Sequence, residues 1–291
     1  MKIGVHGKEF TRQSAPFIHR IFEILAEHQA ELFVSARFAG FLKQSIFKNF
    51  QWQTYSASEP LPPLEILISI GGDGTLLESV SHIGKTQIPV LGINTGRLGF
   101  LATISRDDTE QALREVLKGA YSLDKRAVLR LHTEQGIFGN MNFALNDFTV
   151  VKKDTSAMIT IHTFIDGEFL NSYWADGIIV STPTGSTGYS LSCGGPLIFP
   201  RSGNFVLTPV SPHNLTVRPI IVSDTSEISF QVDGRSKKFL ISLDSRIATV
   251  DNTVKLTIKR ADFIVNLIQL EGHHYFKTLR QKLNWGLDIR N

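Results

Sequence analysis

The stretch Leu64-Glu65-Ile66-Leu67-Ile68-Ser69-Ile70-Gly71-Gly72-Asp73-Gly74-Thr75 decides the reading of this chain. Its first seven residues are mostly apolar on both faces, as in a strand buried within a parallel sheet. Glycines interrupt the run, a helical pattern follows, and a second buried strand comes at Ile88-Pro89-Val90-Leu91-Gly92-Ile93. Strand, helix and strand at this spacing imply parallel pairing through a helical crossover. Upstream, Lys2 to His6 reads as a short strand, and Phe17, Ile18, Ile21, Phe22 and Leu25 recur at helical spacing. Leu32-Phe33-Val34 is a further strand, and the aromatic-rich stretch from Phe38 to Phe47 reads as helical. Pro60, Pro62 and Pro63 punctuate the chain, and Asp107 to Lys118 reads as a helix with an acidic first turn. Residues 1–122 are therefore expected to form an α/β domain with a parallel sheet.

Beyond about Tyr121 the period changes to two, as in Met158-Ile159-Thr160-Ile161-His162-Thr163, Ile228-Ser229-Phe230-Gln231-Val232 and Val254-Lys255-Leu256-Thr257-Ile258. Asp166-Gly167 and Asp233-Gly234 lie between such runs, where hairpin turns want them. Residues 123–270 are expected to be a β-rich, sandwich-like domain of antiparallel strands. Tyr275, Phe276, Leu279 and Leu283 mark a terminal helix within 271–291.

Composition narrows the function classes. The 291 residues are 42% hydrophobic and 20% charged, enough for two packed domains and too apolar for a disordered chain. No apolar run approaches the roughly 20 residues that span a bilayer, and Met1 to Val5 lacks a secretory pattern. The single Cys193 excludes an intramolecular disulfide framework and a cysteine-based zinc finger, so a cytoplasmic location is expected. A net charge of +3 is too balanced to argue for nucleic acid, and the nine histidines contain no HExxH. Small-molecule chemistry remains, with neither a nucleic-acid nor a membrane partner.

Thirteen of the 23 glycines fall in two windows, 71–100 and 177–203. In the first, glycines beyond the carboxyl end of a parallel strand let a phosphate approach backbone N–H groups at a helix N-terminus. A carboxylate is out of place beside phosphate unless it accepts a hydroxyl proton or a divalent cation bridges the two. Two readings of Asp73 thus stay open: a base at a phosphate site, or the cap of the following helix. The fingerprints GxxxxGK[ST] and GxGxxG are both absent, so any purine nucleotide is bound in another way. The second window, Asp176-Gly177-Ile178-Ile179-Val180-Ser181-Thr182-Pro183-Thr184-Gly185-Ser186-Thr187-Gly188-Tyr189-Ser190-Leu191-Ser192-Cys193-Gly194-Gly195-Pro196, runs a strand into a loop rich in hydroxyls and glycine. Uncharged donors and acceptors of this kind suit a ribose or phosphate oxygens; the competing reading is a polar surface loop.

Together these windows resemble the NAD kinase family. Its GGDGT motif stands at Gly71 to Thr75, its N-x-G-x-LGFL segment at Asn94 to Leu101, and its long DG-x4-TPTGST-x-YS-x-S-x-GGP motif at Asp176 to Pro196. Its Asn-Glu pair stands as Asn146-Asp147, with aspartate in place of glutamate. Pro212 to Pro219 and Phe276 to Leu283 also resemble the family. Gly188 replaces a usual alanine, and Trp174 occupies a position that is often basic in relatives. The resemblance implies an α/β domain and a β-rich domain with the active site between them, and a terminal helix returning to the first. It implies transfer of the γ-phosphate of ATP, with Mg2+, to the adenosine ribose 2′-hydroxyl of NAD. Asp73 is then the proton acceptor, Gly72 and Gly74 lie against the dinucleotide, and Phe100 makes an apolar contact. Asn146 and Asp147 meet the adenosine, Asp176 the nicotinamide end, and Thr187, Gly188, Tyr189, Ser190, Leu191 and Ser192 wrap the remaining ribose and adenine. A homodimer or homotetramer is implied as well. Two alternatives compete: a lipid kinase of the diacylglycerol or sphingosine type, which shares GGDGT, and a non-catalytic dinucleotide sensor.

Overall fold

The computed structural model describes residues 1–43, 45–56, 59–153 and 157–285; residues 286–291, the end of the expected helical tail, lie outside the described residues. The chain divides into two compact units, Met1–Lys125 with Asn266–Asn291, and Arg126–Val265.

The first unit opens with β1 (Lys2–Gly7), α1 (Ala15–Glu27), β2 (Glu31–Ser35), α2 (Ala36–Phe41) and β3 (Gln53–Tyr55). It continues through β4 (Ile66–Gly71), α3 (Asp73–Ile83), β5 (Val90–Asn94) and α4 (Thr109–Leu117). The sheet order is β3-β2-β1-β4-β5, parallel throughout. All six residues of β4 are buried, which is why no alternation shows in its sequence. On α1 the residues Ile18, Ile21, Phe22, Ile24 and Leu25 face the core, and on α3 the inward set is Thr75, Leu76, Ser79, Val80 and Ile83.

The aromatic stretch from Phe38 to Phe47 is not one helix. It splits into α2 and a 3₁₀ turn at Ser45–Phe47. Phe38 and Phe47 both sit edge-on to Phe10, each with ring centroids 6.1 Å from it. Nine residues of straight helix would separate them by roughly 13 Å along the axis, so the chain must bend for both rings to fill one core.

β6 (Ser122–His132) leads into the second unit, which holds β7 (Phe143–Ala144), β8 (Asp147–Lys152), β9 (Ile159–Ile165), β10 (Glu168–Ala175) and β11 (Gly177–Ser181). The one-turn α5 (Tyr189–Ser192) precedes β12 (Asn204–Val210), β13 (Ile220–Ser223), β14 (Ile228–Asp233), β15 (Lys238–Leu243), β16 (Arg246–Asp251) and β17 (Leu256–Gln269). One antiparallel sheet runs β10-β9-β14-β17, and β6 and β7 attach to it; the other runs β13-β12-β11-β8-β15-β16. Inward residues of both, among them Phe148, Ile178, Phe205, Phe230, Phe239 and Leu256, share one core, so the β-rich half is a two-layer sandwich.

Asp166-Gly167 does close the hairpin between β9 and β10, with φ of 51° and 85°. Asp233-Gly234 does not close one. β14 pairs with β9 and β17, whereas β15 pairs with β8 and β16, so residues 234–237 carry the chain from one sheet to the other. Neither residue adopts the positive φ that a two-residue turn requires. The far end of β17 returns to the first unit, where Leu267 lies beside Val90 of β5. The chain then forms α6 (Tyr275–Leu283), anchored by the buried Leu279. Among the described residues no helix is long and apolar enough to cross a membrane.

Candidate active site

In the first unit the chemistry gathers where β4 gives way to α3. Gly72 is the N-cap of α3 and brings no side-chain cap; Asp73 is the first helical residue. Its carboxylate turns to the loop after β5, where Oδ2 accepts from the Phe100 N–H at 2.8 Å and Oδ1 from the Leu101 and Ala102 N–H groups at 3.0 and 2.9 Å. The helix-cap reading of Asp73 therefore falls. A side chain at position 99 would obstruct this grip, because a Cβ on Gly99 would lie 2.0 Å from Asp73 Oδ1.

The loop itself is built around buried Asn94. Asn94 Nδ2 donates to the Arg97 and Ala102 carbonyls, and its Oδ1 accepts from the Gly96 N–H. Lys282 of α6 donates to the Leu98 carbonyl, so the terminal helix braces the same loop. An ionised carboxylate offers about four lone-pair sites, and three at Asp73 are engaged. Gly72 and Gly74 are exposed, and their Cβ positions are open: nothing lies within 4 Å of the first, and only Lys8 Nζ, at 3.8 Å, near the second. Protein packing does not demand glycine at either position. The uncapped end of α3 behind them is a favourable place for anionic oxygen. Phe100 is half-buried.

In the second unit a second cluster forms around Asn146 and Asp147. Buried Asp244 accepts from the N–H groups of Leu145, Asn146 and Asp147 at 3.0, 2.8 and 3.2 Å, and the Arg246 guanidinium lies 3.8 Å away. Burial pushes both carboxyls up. Asp147, 7% exposed, faces Asp244 and has only the Thr149 hydroxyl in return, and it reaches about 7. At Asp244 the three N–H donors and Arg246 partly offset burial. Two carboxyls raised by burial therefore face each other here, and Asp244 has the backbone donors and the guanidinium that Asp147 lacks. Asn146 Oδ1 is buried with no partner.

The hydroxyl-rich loop packs on this pair, as Asp147 and Ser181 are neighbours across β8 and β11. Gly185 is indispensable to the approach: a Cβ there would sit 2.2 Å from the Asn146 carbonyl oxygen. A Cβ on Gly188 would lie 3.6 Å from Asn146 Nδ2 and 3.9 Å from Asp147 Oδ2, so that residue borders both.

Most of the loop's hydroxyls do not face outward. Ser181, Thr182, Thr184, Ser186 and Ser190 are all buried. Thr182 Oγ1 donates to the Leu145 carbonyl, Ser186 Oγ to that of Pro183, and Ser190 Oγ bonds Thr208 Oγ1 at 2.8 Å. Thr187 donates to the Thr184 carbonyl. The polar-surface-loop reading thus fails for the hydroxyls of 181–190 that are buried. These groups mainly hold the loop's backbone in shape. Tyr189 is 46% exposed, Ser192 is exposed and Leu191 half-buried. Asp176 is half-buried and paired with Lys152 at 2.7 Å. Trp174, 52% exposed, lies against His213 with ring centroids 4.3 Å apart, so an aromatic pair occupies this position.

Asp244 was not legible as a site residue. Leu243-Asp244-Ser245-Arg246 reads only as a turn between alternating runs, which it is, with Asp244 at φ 52°.

Comparison with known proteins supplies the relationship. The ATP-NAD kinase N-terminal domain family matches residues 4–121, and the ATP-NAD kinase C-terminal domain family matches residues 145–270. The NAD kinase of Cytophaga hutchinsonii is 49% identical over the full length of both chains, and that of Flavobacterium psychrophilum 46%. Among solved structures, yeast NADH kinase complexed with NADH superposes with a TM-score of 0.88 at 23% identity, covering all of this chain and 89% of that one. An NAD kinase from Archaeoglobus fulgidus in complex with ATP gives 0.76 at 24% identity, covering 98% and 99%. Lipid kinases and dinucleotide sensors find no support in these matches. The chain belongs to the ATP-NAD kinase family.

Proposed function

We propose that Asp73 is the proton acceptor in the phosphotransferase reaction of this chain, in which the γ-phosphoryl group of ATP passes to the adenosine ribose 2′-hydroxyl of NAD. The observation that carries the assignment is the carboxylate held by three backbone N–H groups between two exposed glycines. Fixed donors leave the carboxylate no freedom to swing away, and its remaining lone pair suits one hydroxyl proton. In a loose phosphoryl-transfer transition state the proton moves late, so an ordinary carboxylate suffices. The cation belongs to the MgATP substrate and screens the triphosphate.

Gly72 and Gly74 leave room for the dinucleotide, and Phe100 supplies an apolar contact. Asn146 and Asp147 recognise the adenosine: the free Asn146 Oδ1 accepts, and Asp147 in its protonated form donates. Asp176 faces the nicotinamide end. Along 187–192 the backbone, the Tyr189 ring and the Ser192 hydroxyl make the contacts, since the Thr187 and Ser190 hydroxyls are already engaged. Exposed Ile221 and Ile247, on the edge strands β13 and β16, support self-association of the β-rich unit, and a single cysteine suits the cytoplasm. The test is incubation with ATP, Mg2+ and NAD, followed by an NADP-dependent dehydrogenase. Wild type yields NADP, and Asp73→Asn yields almost none; near-normal turnover by the folded variant rejects the assignment.

A further inference from the structure

The first unit contains a second group of chemistry-bearing side chains that the phosphotransfer site leaves unused. His6 lies at the end of β1, and Glu78 and His82 lie one turn apart on α3. One ligand atom from each falls within 4.8 Å of the others. His6 is 0% exposed, and its Nε2 is buried without a hydrogen-bond partner, 3.9 Å from Glu78 Oε2. His82 Nδ1 is likewise buried and unpartnered. Two orphaned imidazole nitrogens around a carboxylate make a poor hydrogen-bond arrangement, because 3.9 Å is too long for an N–H···O bond.

The same arrangement is a good ligand set. We propose that His6, Glu78 and His82 bind a divalent transition-metal ion of the zinc class, with water completing the coordination. Two imidazoles and one carboxylate form a donor set that Zn2+ accepts, at ligand distances of about 2.0–2.2 Å. Atoms already this close need to converge by roughly 1 Å.

Outer contacts orient the ligands. His6 Nδ1 bonds Ser35 Oγ at 2.9 Å, which turns Nε2 toward Glu78. Arg37 binds Glu78 Oε1 at 3.1 Å and leaves Oε2 turned to His6. Lys8 approaches Oε2 at 3.4 Å, but it is a surface side chain that a cation displaces. Burial holds the pKa of His6 down to about 4, with His82 adding to the effect, and burial lowers that of His82. Both rings are thus in the neutral, ligating form at neutral pH. A metal here would tie β1 to α3, the helix that begins with Asp73, and so stiffen the first unit.

The test uses full-length protein stripped with a chelator and titrated with Zn2+ by calorimetry and with Co2+ by visible absorption. One equivalent is expected to bind, with the Co2+ bands of a four- or five-coordinate nitrogen and oxygen site. At a hundredfold excess over Kd, Zn2+ should raise Tm by roughly 5 °C. His82→Gln, on the less buried of the two histidines, should weaken binding at least 10–100-fold, the loss that outer partners alone already cause. Glu78→Gln is the second variant, in case His82→Gln does not fold. A stripped wild type that takes up no metal overturns the proposal. So does a folded variant that binds Zn2+ and Co2+ as wild type does, since the ion then sits elsewhere.

Discussion

Asp73 and Asp244 make the same hydrogen-bond pattern in different surroundings. Each accepts three consecutive backbone N–H groups, from Phe100 to Ala102 in one case and from Leu145 to Asp147 in the other. The Asp244 side chain is only 3% exposed and backed by an arginine, and its oxygens are enclosed. Asp73 is half-buried, stands at the uncapped start of a helix and has an exposed glycine on either side. The triple grip therefore does not by itself distinguish the two carboxylates; access does. Asp244 shapes the Asn146-Asp147 turn, while Asp73 keeps one lone pair free, as the proposed role of proton acceptor requires.

The sharpest way to break this comparison is to remove each carboxylate in turn. Asp73→Asn should lower turnover about 10²–10⁴-fold, the usual worth of a general base. Its Tm should fall by only a few degrees, because the amide oxygen still accepts two of the three N–H bonds and only one backbone donor loses its acceptor. Coupled-assay kinetics and a melting curve on the same preparation check both halves. Asp244→Ala should do the reverse. It leaves three N–H groups without an acceptor beside Arg246, at a cost of about 3–5 kcal/mol, roughly 10 °C in Tm. If Asp244→Ala melts like wild type and Asp73→Asn does not, the roles are exchanged.

Much of this contrast was readable in the chain and part was not. The parallel sheet was legible because β4 and β5 are short apolar runs joined by a helical pattern, and the sandwich because period-2 runs recur beyond Tyr121. Asp73 stands out in the sequence as a carboxylate among glycines, but its grip on the backbone of 100–102 is not readable there, because those donors lie 27–29 residues away. Asp244 does not stand out, since an aspartate in a hairpin turn is common and its partners lie about a hundred residues away. The buried hydroxyls of 181–190 were misjudged for a related reason. A polar residue type says that a hydrogen bond is needed, and only tertiary packing says whether protein or ligand provides it. The crossing at Asp233-Gly234 failed likewise, because turn chemistry does not reveal which sheet the next strand joins.

A pH series sharpens the comparison further, because Asp147 is the group that Asp244 perturbs. Burial, and then Asp244, raise the Asp147 pKa from 3.8 to about 7. Folded protein thus holds a proton between roughly pH 4 and 7 that the unfolded chain has released, so stability falls as pH rises through that window and levels off above it. Asp147→Asn removes this slope. The wild type should lose on the order of 1–4 kcal/mol more than the variant between pH 5 and pH 8, read as a difference in urea midpoints. Parallel pH profiles for the two proteins would mean that Asp147 is ionised throughout.

The smallest expected effect concerns the loop that lies on Asn146 and Asp147. The Thr187 hydroxyl already donates to the Thr184 carbonyl, so Thr187→Ala removes one internal bond worth about 0.5–1.5 kcal/mol to the fold. NAD affinity should then change by less than about threefold, because the bond lost is not to the ligand. Tyr189 differs: it is 46% exposed and belongs to neither core, so the area it offers is available to a ligand. Tyr189→Ala should weaken NAD binding by about tenfold, the equivalent of roughly 1.4 kcal/mol of lost contact, and leave Tm unchanged. Calorimetric titration of both variants with NAD separates the outcomes. A larger loss at Thr187 than at Tyr189 would mean that the loop turns its hydroxyls to the ligand on binding. The internal bonds of 181–190 would then be a resting arrangement instead of a scaffold, and the distinction between the engaged carboxylate of Asp244 and the available one of Asp73 would extend to the threonines as well.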